Sequence, residues 1–106
     1  MRIVRTPRYS RDIKKLKAAP EYVKAMEDNV AADPFSGALI QGLRAVRKAR
    51  FRIANRGKSG GGRAIYYLLL KDRTVIMIAA YAKAVKEDLT PEDRKAILRV
   101  LEEVKQ

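Results

Sequence analysis

Cysteine and histidine are both absent from the 106 residues. Without cysteine the chain forms no disulfide and has no thiolate, a composition that is compatible with the cytoplasm. Without histidine, catalysis by an imidazole acid–base pair is excluded. Any proton transfer that the protein performs therefore depends on lysine, tyrosine, arginine or carboxylate side chains.

Long apolar runs are also missing. No stretch approaches the roughly 20 residues that a membrane helix needs, and the N-terminus MRIVRTPRYS lacks the apolar segment of a secretory signal. Hydrophobic residues still make up 47% of the chain, enough for one core. We expect a single cytoplasmic domain over residues 1–106, with no membrane partner.

Positive charge is abundant and uneven. The chain has 24 Lys and Arg against 12 Asp and Glu, a net charge of +12. Between residues 41 and 63 there are eight cations and no acid. They are Arg44, Arg47, Lys48, Arg50, Arg52, Arg56, Lys58 and Arg63. This density predicts a polyanionic partner, nucleic acid first. An anionic membrane, an acidic protein or a merely solvated basic face are the alternatives.

The middle of the chain predicts a three-stranded antiparallel meander. In the first strand Lys48, Arg50 and Arg52 alternate with Ala49, Phe51 and Ile53, so one face is cationic and the other apolar. Two apolar runs follow, at 64–70 and 74–81, joined by a polar turn. We expect helices to cover them on one side. The adjacent Tyr66 and Tyr67 should face opposite ways.

The flanking segments predict helices. We expect an edge strand at 1–6, a helix capped by Ser10, and a second helix that begins at Pro20 and ends at Asp33. Residues 35–42 should form a loop that leads to the basic strand. Thr90 and Pro91 predict the start of a closing helix.

A glycine-rich loop at 55–62 separates the first two strands of the meander. Its glycines let backbone amides approach a phosphate, and Lys58 adds charge. It is not a Walker motif, because a strand rather than a helix follows. The alternative, to which the sequence gives about equal support, is a flexible hairpin loop that binds nothing.

The runs RGKSGGGRAIYY, AYAK and DLT, at their spacing in residues 40–100, resemble the RelE/HigB-type toxins of bacterial type II toxin–antitoxin modules, most of all the HigB-like branch. The resemblance implies an α+β fold of two N-terminal helices packed on a small twisted antiparallel sheet, with a C-terminal helix. It also implies an mRNA endoribonuclease that acts at the ribosomal A site without metal or cofactor. Its implied partner is an antitoxin, often a helix-turn-helix repressor encoded next to it. A ParE-like gyrase poison and a non-catalytic RNA binder that stacks bases on Tyr66 or Tyr67 are the alternatives.

The resemblance also implies site residues. By position, the cations of the family's site correspond to Lys48, Arg50, Arg63 and Lys83. Ala84 and Leu89 stand where some members have an arginine and a tyrosine, so Tyr81 is the candidate to replace that tyrosine.

The chemistry that remains without histidine or a carboxylate cluster is attack by the RNA's own 2′-hydroxyl. Arg50 and Arg63 suit charge stabilisation, because a guanidinium binds phosphate in a fixed fork. Lys48, which lies among cations, is the candidate base, and Lys83 the candidate acid, with Tyr81 in reserve. The further residues that we expect to contact the substrate are Arg47, Arg52, Arg56, Lys58 and Tyr67.

Overall fold

The computed structural model describes residues 1–43, 45–54, 61–86 and 88–105. This part of the chain contains five strands, three α-helices and one short 3₁₀ turn. In chain order they are β1 (Arg2–Arg5), α1 (Pro7–Leu16), α2 (Pro20–Ala32), β2 (Ala38–Leu39), β3 (Val46–Phe51), β4 (Gly62–Leu69), the 3₁₀ turn (Leu70–Asp72), β5 (Thr74–Ala82) and α3 (Pro91–Lys105).

The strands form one sheet in the order β1-β5-β4-β3-β2. The antiparallel pairing of β3 with β4 and of β4 with β5 confirms the predicted meander. β1, however, pairs with β5 in parallel, with Ile3 opposite Val75. The sheet is therefore mixed, and the expectation of a purely antiparallel sheet is wrong at this edge. Two helices separate β1 from the meander, which allows its last strand to return beside β1 in the same direction.

The N-terminal segment begins with an edge strand, as predicted, but α1 starts earlier than expected. Thr6 caps the helix: its hydroxyl accepts a hydrogen bond from the Tyr9 amide at 3.2 Å. Pro7 occupies the first turn, where its missing N–H costs nothing. Ser10 lies inside the helix, so its prediction as the cap is wrong.

The second helix has the predicted limits, since α2 begins at Pro20 and Asp33 caps its C-terminus. The segment that follows is not entirely a loop. Its short strand β2 pairs with β3, and Ala38 lies opposite Lys48. Two paired residues are too few to leave an apolar alternation in the sequence, so the expected loop at 35–42 was an incomplete description.

Buried side chains form a core on each face of the sheet. One core joins the sheet to α1 and α2 and includes Tyr9, Met26, Val30, Phe51, Ala64, Tyr66 and Met77. The other joins the sheet to α3 and includes Val46, Ile65, Ile78, Tyr81, Ile97 and Leu101. Helices thus cover both faces, which corrects the expectation of cover on one side. Tyr66 and Tyr67 contribute to opposite cores, as predicted.

The closing helix begins with a capping box. The Asp93 amide donates to the Thr90 hydroxyl at 3.0 Å, and the Thr90 amide donates back to the Asp93 carboxylate at 3.0 Å. Pro91 follows Thr90, as predicted. Across the described ranges, none of the helices has both the length and the apolar character needed to cross a membrane.

Candidate functional site

The register of the meander places cations from neighbouring strands on one face. Arg50 of β3 lies directly opposite Arg63 of β4, which in turn lies opposite Tyr81 of β5. Directly opposed residues project from the same face with Cβ atoms about 4.5–5.5 Å apart. Lys48 is two residues from Arg50 and shares its face. Pairing between strands therefore creates a cluster that no single segment contains.

A pocket of about 530 Å³ lies against this cluster. Among the described residues that line it, four are cations and none is acidic. The cations are Lys48, Arg50, Arg63 and Lys83. The other lining residues are uncharged: Met26, Asn29, Val30, Ser36, Gly37, Ala38 and Ala49. We call this site the cationic pocket. It has a charged side from β3, β4 and the end of β5, and a neutral side from α2 and the segment that follows it.

The four cations differ in exposure. Arg63 is only 8% exposed, and its guanidinium donates to the Gly62 carbonyl at 3.0 Å. Lys48 is half-buried, whereas Arg50 and Lys83 are exposed. A buried guanidinium has few accessible rotamers, so Arg63 presents a fixed charge. The other three side chains can adjust around an anion.

Three of the four cations that line the pocket are not paired with a described acidic side chain. In the described part of the chain Lys48, Arg50 and Lys83 make no ion pair, and the recorded ion pairs involve other cations. Uncompensated like charges around one pocket attract a polyanion. Among the same residues, no group of three or more His, Cys, Asp or Glu side chains could hold a metal ion.

Tyr81 lies beside the cationic pocket but does not line it. Its ring is 6% exposed in the core beneath α3, with the Lys86 ammonium 5.2 Å from the ring centroid. Burial, with the Asp88 carboxylate adding to it, raises the pKa of the phenol, although Arg63 opposes the shift. The hydroxyl is therefore protonated at neutral pH. It has no hydrogen-bond partner within the described ranges.

The remaining predicted contact residues are spread around the sheet. Arg47 alternates with Lys48 in β3, and its guanidinium donates to the backbone oxygens of Phe35 at 3.0 Å and Gly37 at 2.7 Å. The Arg52 guanidinium lies 4.9 Å from the centroid of the Tyr22 ring. None of these positions lines the cationic pocket.

Two predicted residues, Arg56 and Lys58, lie outside the described residues, as does most of the glycine-rich loop. Tyr67 is half-buried and packs against the core beneath α3. Tyr66 is fully buried, and its hydroxyl donates to the Pro34 carbonyl at 2.7 Å and accepts from the Gly37 amide at 3.0 Å. Base stacking on Tyr66 is therefore excluded, because its ring belongs to the core.

The neutral side of the cationic pocket was not anticipated from the sequence. Asn29, Ser36 and Gly37 come from segments that we interpreted as core cover and loop. No charge pattern or motif marks them. They reach the pocket because α2 packs beside β3, which is a tertiary contact without a local signal.

Comparison with known proteins gives the fold. No protein-family model matches the chain. The structure is similar to the crystal structure of the intact E. coli RelBE toxin–antitoxin complex, with a TM-score of 0.59 and 17% identity over 76% of this chain and 94% of that one. It is also similar to a mutant of the E. coli toxin RelE in the free state, with a TM-score of 0.57 and 15% identity over 81% and 86% of the two chains. The chain has the α+β fold of the RelE toxin.

Proposed function

We propose that this chain is the toxin of a type II toxin–antitoxin module and cleaves mRNA as a metal-independent endoribonuclease. The observation that carries the proposal is the cationic pocket, whose described lining gathers four cations and no acid in a RelE-like fold. A site of this charge suits a phosphodiester, whose negative charge increases as the ribose 2′-oxygen attacks the phosphorus.

The reaction uses groups already present in RNA. The ribose 2′-oxygen forms a bond to the adjacent phosphorus, and the bond from phosphorus to the 5′-oxygen of the next nucleotide breaks. The products are a 2′,3′-cyclic phosphate and a 5′-hydroxyl. One proton leaves the 2′-hydroxyl and one reaches the departing 5′-oxygen, so no metal or cofactor is needed.

We assign a role to each of the four cations, and their placement supports the assignment. Arg63 and Arg50 are directly opposed and suit the non-bridging phosphate oxygens, on which the extra negative charge develops, with their paired donors. Lys48 on the same face is the base toward the 2′-hydroxyl, and Lys83 is the acid toward the 5′-oxygen. Tyr81 lies opposite Arg63 across β4 and β5 and is protonated, so it is the reserve proton donor.

The proposal also covers the family branch, the place where mRNA is cut and the antitoxin. We place the chain in the HigB-like branch and propose that it cuts mRNA in the ribosomal A site, in the cytoplasm. A helix-turn-helix antitoxin encoded beside it would hold it inactive. In its favour, the E. coli protein with the same fold forms a toxin–antitoxin complex.

The test is Arg63→Ala assayed with purified protein, ribosomes and mRNA. Loss of one preorganised charge at a developing oxyanion costs about 10²–10³ in rate, and we expect cleavage to fall by at least that factor. Arg99→Ala, which removes an exposed arginine from α3, should leave cleavage unchanged. Cleavage by Arg63→Ala at the rate of the unmodified protein would contradict the mechanism.

Two further measurements separate a loss of catalysis from a loss of the fold, and an RNA-cleaving toxin from a gyrase poison. Arg63→Lys keeps the charge without the fork, so partial activity with an unchanged unfolding midpoint shows that the fold survives at this position. A supercoiling assay with DNA gyrase tests the ParE-like alternative. Inhibition of gyrase by a protein that never cuts mRNA would replace the proposed function.

A further inference from the structure

An aromatic side chain is exposed in the segment that leads into the neutral side of the cationic pocket. Phe35 is 56% exposed, and the next three residues of the chain, Ser36, Gly37 and Ala38, line the neutral side of the pocket. Single exposed apolar residues are common on protein surfaces. Phe35 differs from such residues in two ways. Hydrogen bonds hold its loop in place, and the Arg47 guanidinium lies over its ring.

The loop that carries Phe35 is fixed on both sides. The Ser36 amide and hydroxyl both donate to the Asp33 carbonyl, at 3.0 and 2.7 Å. The buried Tyr66 hydroxyl connects Pro34 to Gly37. A loop held in this way presents its ring without a large ordering cost when a ligand binds.

An arginine side chain lies over the Phe35 ring. The Arg47 guanidinium lies 5.2 Å from the centroid of the Phe35 ring while donating to the Phe35 and Gly37 carbonyls. Arginine stacked on an aromatic ring keeps its charge and adds a second planar surface. The pair therefore combines a stacking surface with a positive charge, which is the chemistry that single-stranded nucleic acid requires.

We propose that Phe35, supported by Arg47, stacks on a nucleobase next to the phosphodiester held in the cationic pocket. The inference rests on the proposed function for the identity of the ligand as single-stranded RNA. It adds a binding subsite on the neutral side of the pocket, whereas the cations hold the backbone. Stacking accepts any base, so this subsite gives affinity and register more than sequence choice.

The experiment measures binding of a fully 2′-O-methylated RNA oligonucleotide, which cannot be cleaved, by fluorescence anisotropy. A series of oligonucleotides carries one abasic position each. Loss of one base–aromatic stack weakens binding about 5- to 150-fold. We expect Phe35→Ala to show this loss on the intact oligonucleotide, and the unmodified protein to show it at one abasic position. On the oligonucleotide that is abasic at that position, Phe35→Ala should bind as tightly as the unmodified protein. Phe35→Trp should bind the intact oligonucleotide as tightly as the unmodified protein.

Leu70→Ala is the matched control, because Leu70 is 57% exposed in the 3₁₀ turn at the far end of β4. It should bind every oligonucleotide like the unmodified protein. The proposal is overturned if Phe35→Ala weakens binding equally for every abasic oligonucleotide. It is also overturned if Phe35→Ala binds RNA as the unmodified protein does but binds an antitoxin more weakly. Binding to an uncleavable oligonucleotide is independent of cleavage. If the loss from Phe35→Ala disappears at one abasic position but the protein never cuts RNA, the proposed function is refuted. The stacking subsite is then still supported.

Discussion

Gly37, on the neutral side of the cationic pocket, has no room for a side chain. A Cβ added there would lie 2.8 Å from the Lys48 carbonyl oxygen and would collide with the Tyr66 hydroxyl. Tyr66 is fully buried and cannot move without breaking its bonds to Pro34 and Gly37. Gly37→Ala should therefore lower the free energy of unfolding by about 1–3 kcal/mol, as overpacking does. Urea denaturation measures the change.

The same substitution in a Tyr66→Phe background supplies the control. Without the hydroxyl, part of the collision disappears, so the additional loss from Gly37→Ala should be smaller there. Equal losses in the two backgrounds would mean that Tyr66 is not what excludes a side chain at residue 37.

Individual residues were predictable where a local pattern determines them. The alternation of cations in β3 was enough to place Lys48 and Arg50 on one face. The opposition of Arg50 and Arg63 depends on the register of β3 against β4, which the alternation within β3 alone does not give. The position of Arg63 was expected through family resemblance, and pairing between the strands explains it.

At the scale of elements, Asp93 joins α3 to the rest of the molecule. Burial would raise the pKa of its carboxyl, but hydrogen bonds from Lys86, the Thr90 amide and Arg8 outweigh it and hold the pKa well below its ordinary value. A carboxyl whose pKa is lower in the folded state stabilises the protein above its unfolded pKa, about 3.9. That stability is lost as the pH falls below this value towards the folded pKa.

Asp93→Asn should therefore destabilise the protein by about 2 kcal/mol at pH 7, and the difference should shrink as the pH falls from 5 to 2. Urea denaturation across this pH range measures it. Asp28→Asn is the control, because Asp28 forms an exposed i,i+4 pair with Lys24 and should change stability by less than about 1 kcal/mol. A difference for Asp93→Asn that persists undiminished at pH 2 would show that its charge is irrelevant.

Elements were predictable from the sequence when they were long or clearly capped. The proline and acid signals fixed the starts of α2 and α3, and apolar runs marked β4 and β5. The direction of β1 was not predictable, because four residues at a sheet edge carry no information on parallel or antiparallel pairing. β2 was missed for the same reason, since two residues have no periodicity.

At the scale of the whole molecule, the net charge of +12 matters less than where the charge is uncompensated. Several cations outside the cationic pocket are paired with acids, as Arg8 is with Asp93 and Lys24 with Asp28. No acidic residue lines the pocket itself in the part of the chain that the structure describes. Anionic RNA should therefore be drawn to this end of the sheet rather than to the surface in general.

The salt dependence of RNA binding tests this localisation. Each phosphate neutralised on a single strand contributes about −0.7 to the slope of log association constant against log salt, so four contacts predict a slope of about −3. Lys83→Ala should reduce the steepness to about −2. Lys71→Ala removes the same charge from the turn before β5, with the nine residues of that strand in between. At about 3.4 Å per residue this separation is roughly 30 Å, well beyond the Debye length of about 8 Å at physiological salt. Lys71→Ala should thus leave the slope unchanged, and equal slopes for the two variants would mean that RNA responds to total charge and not to the pocket.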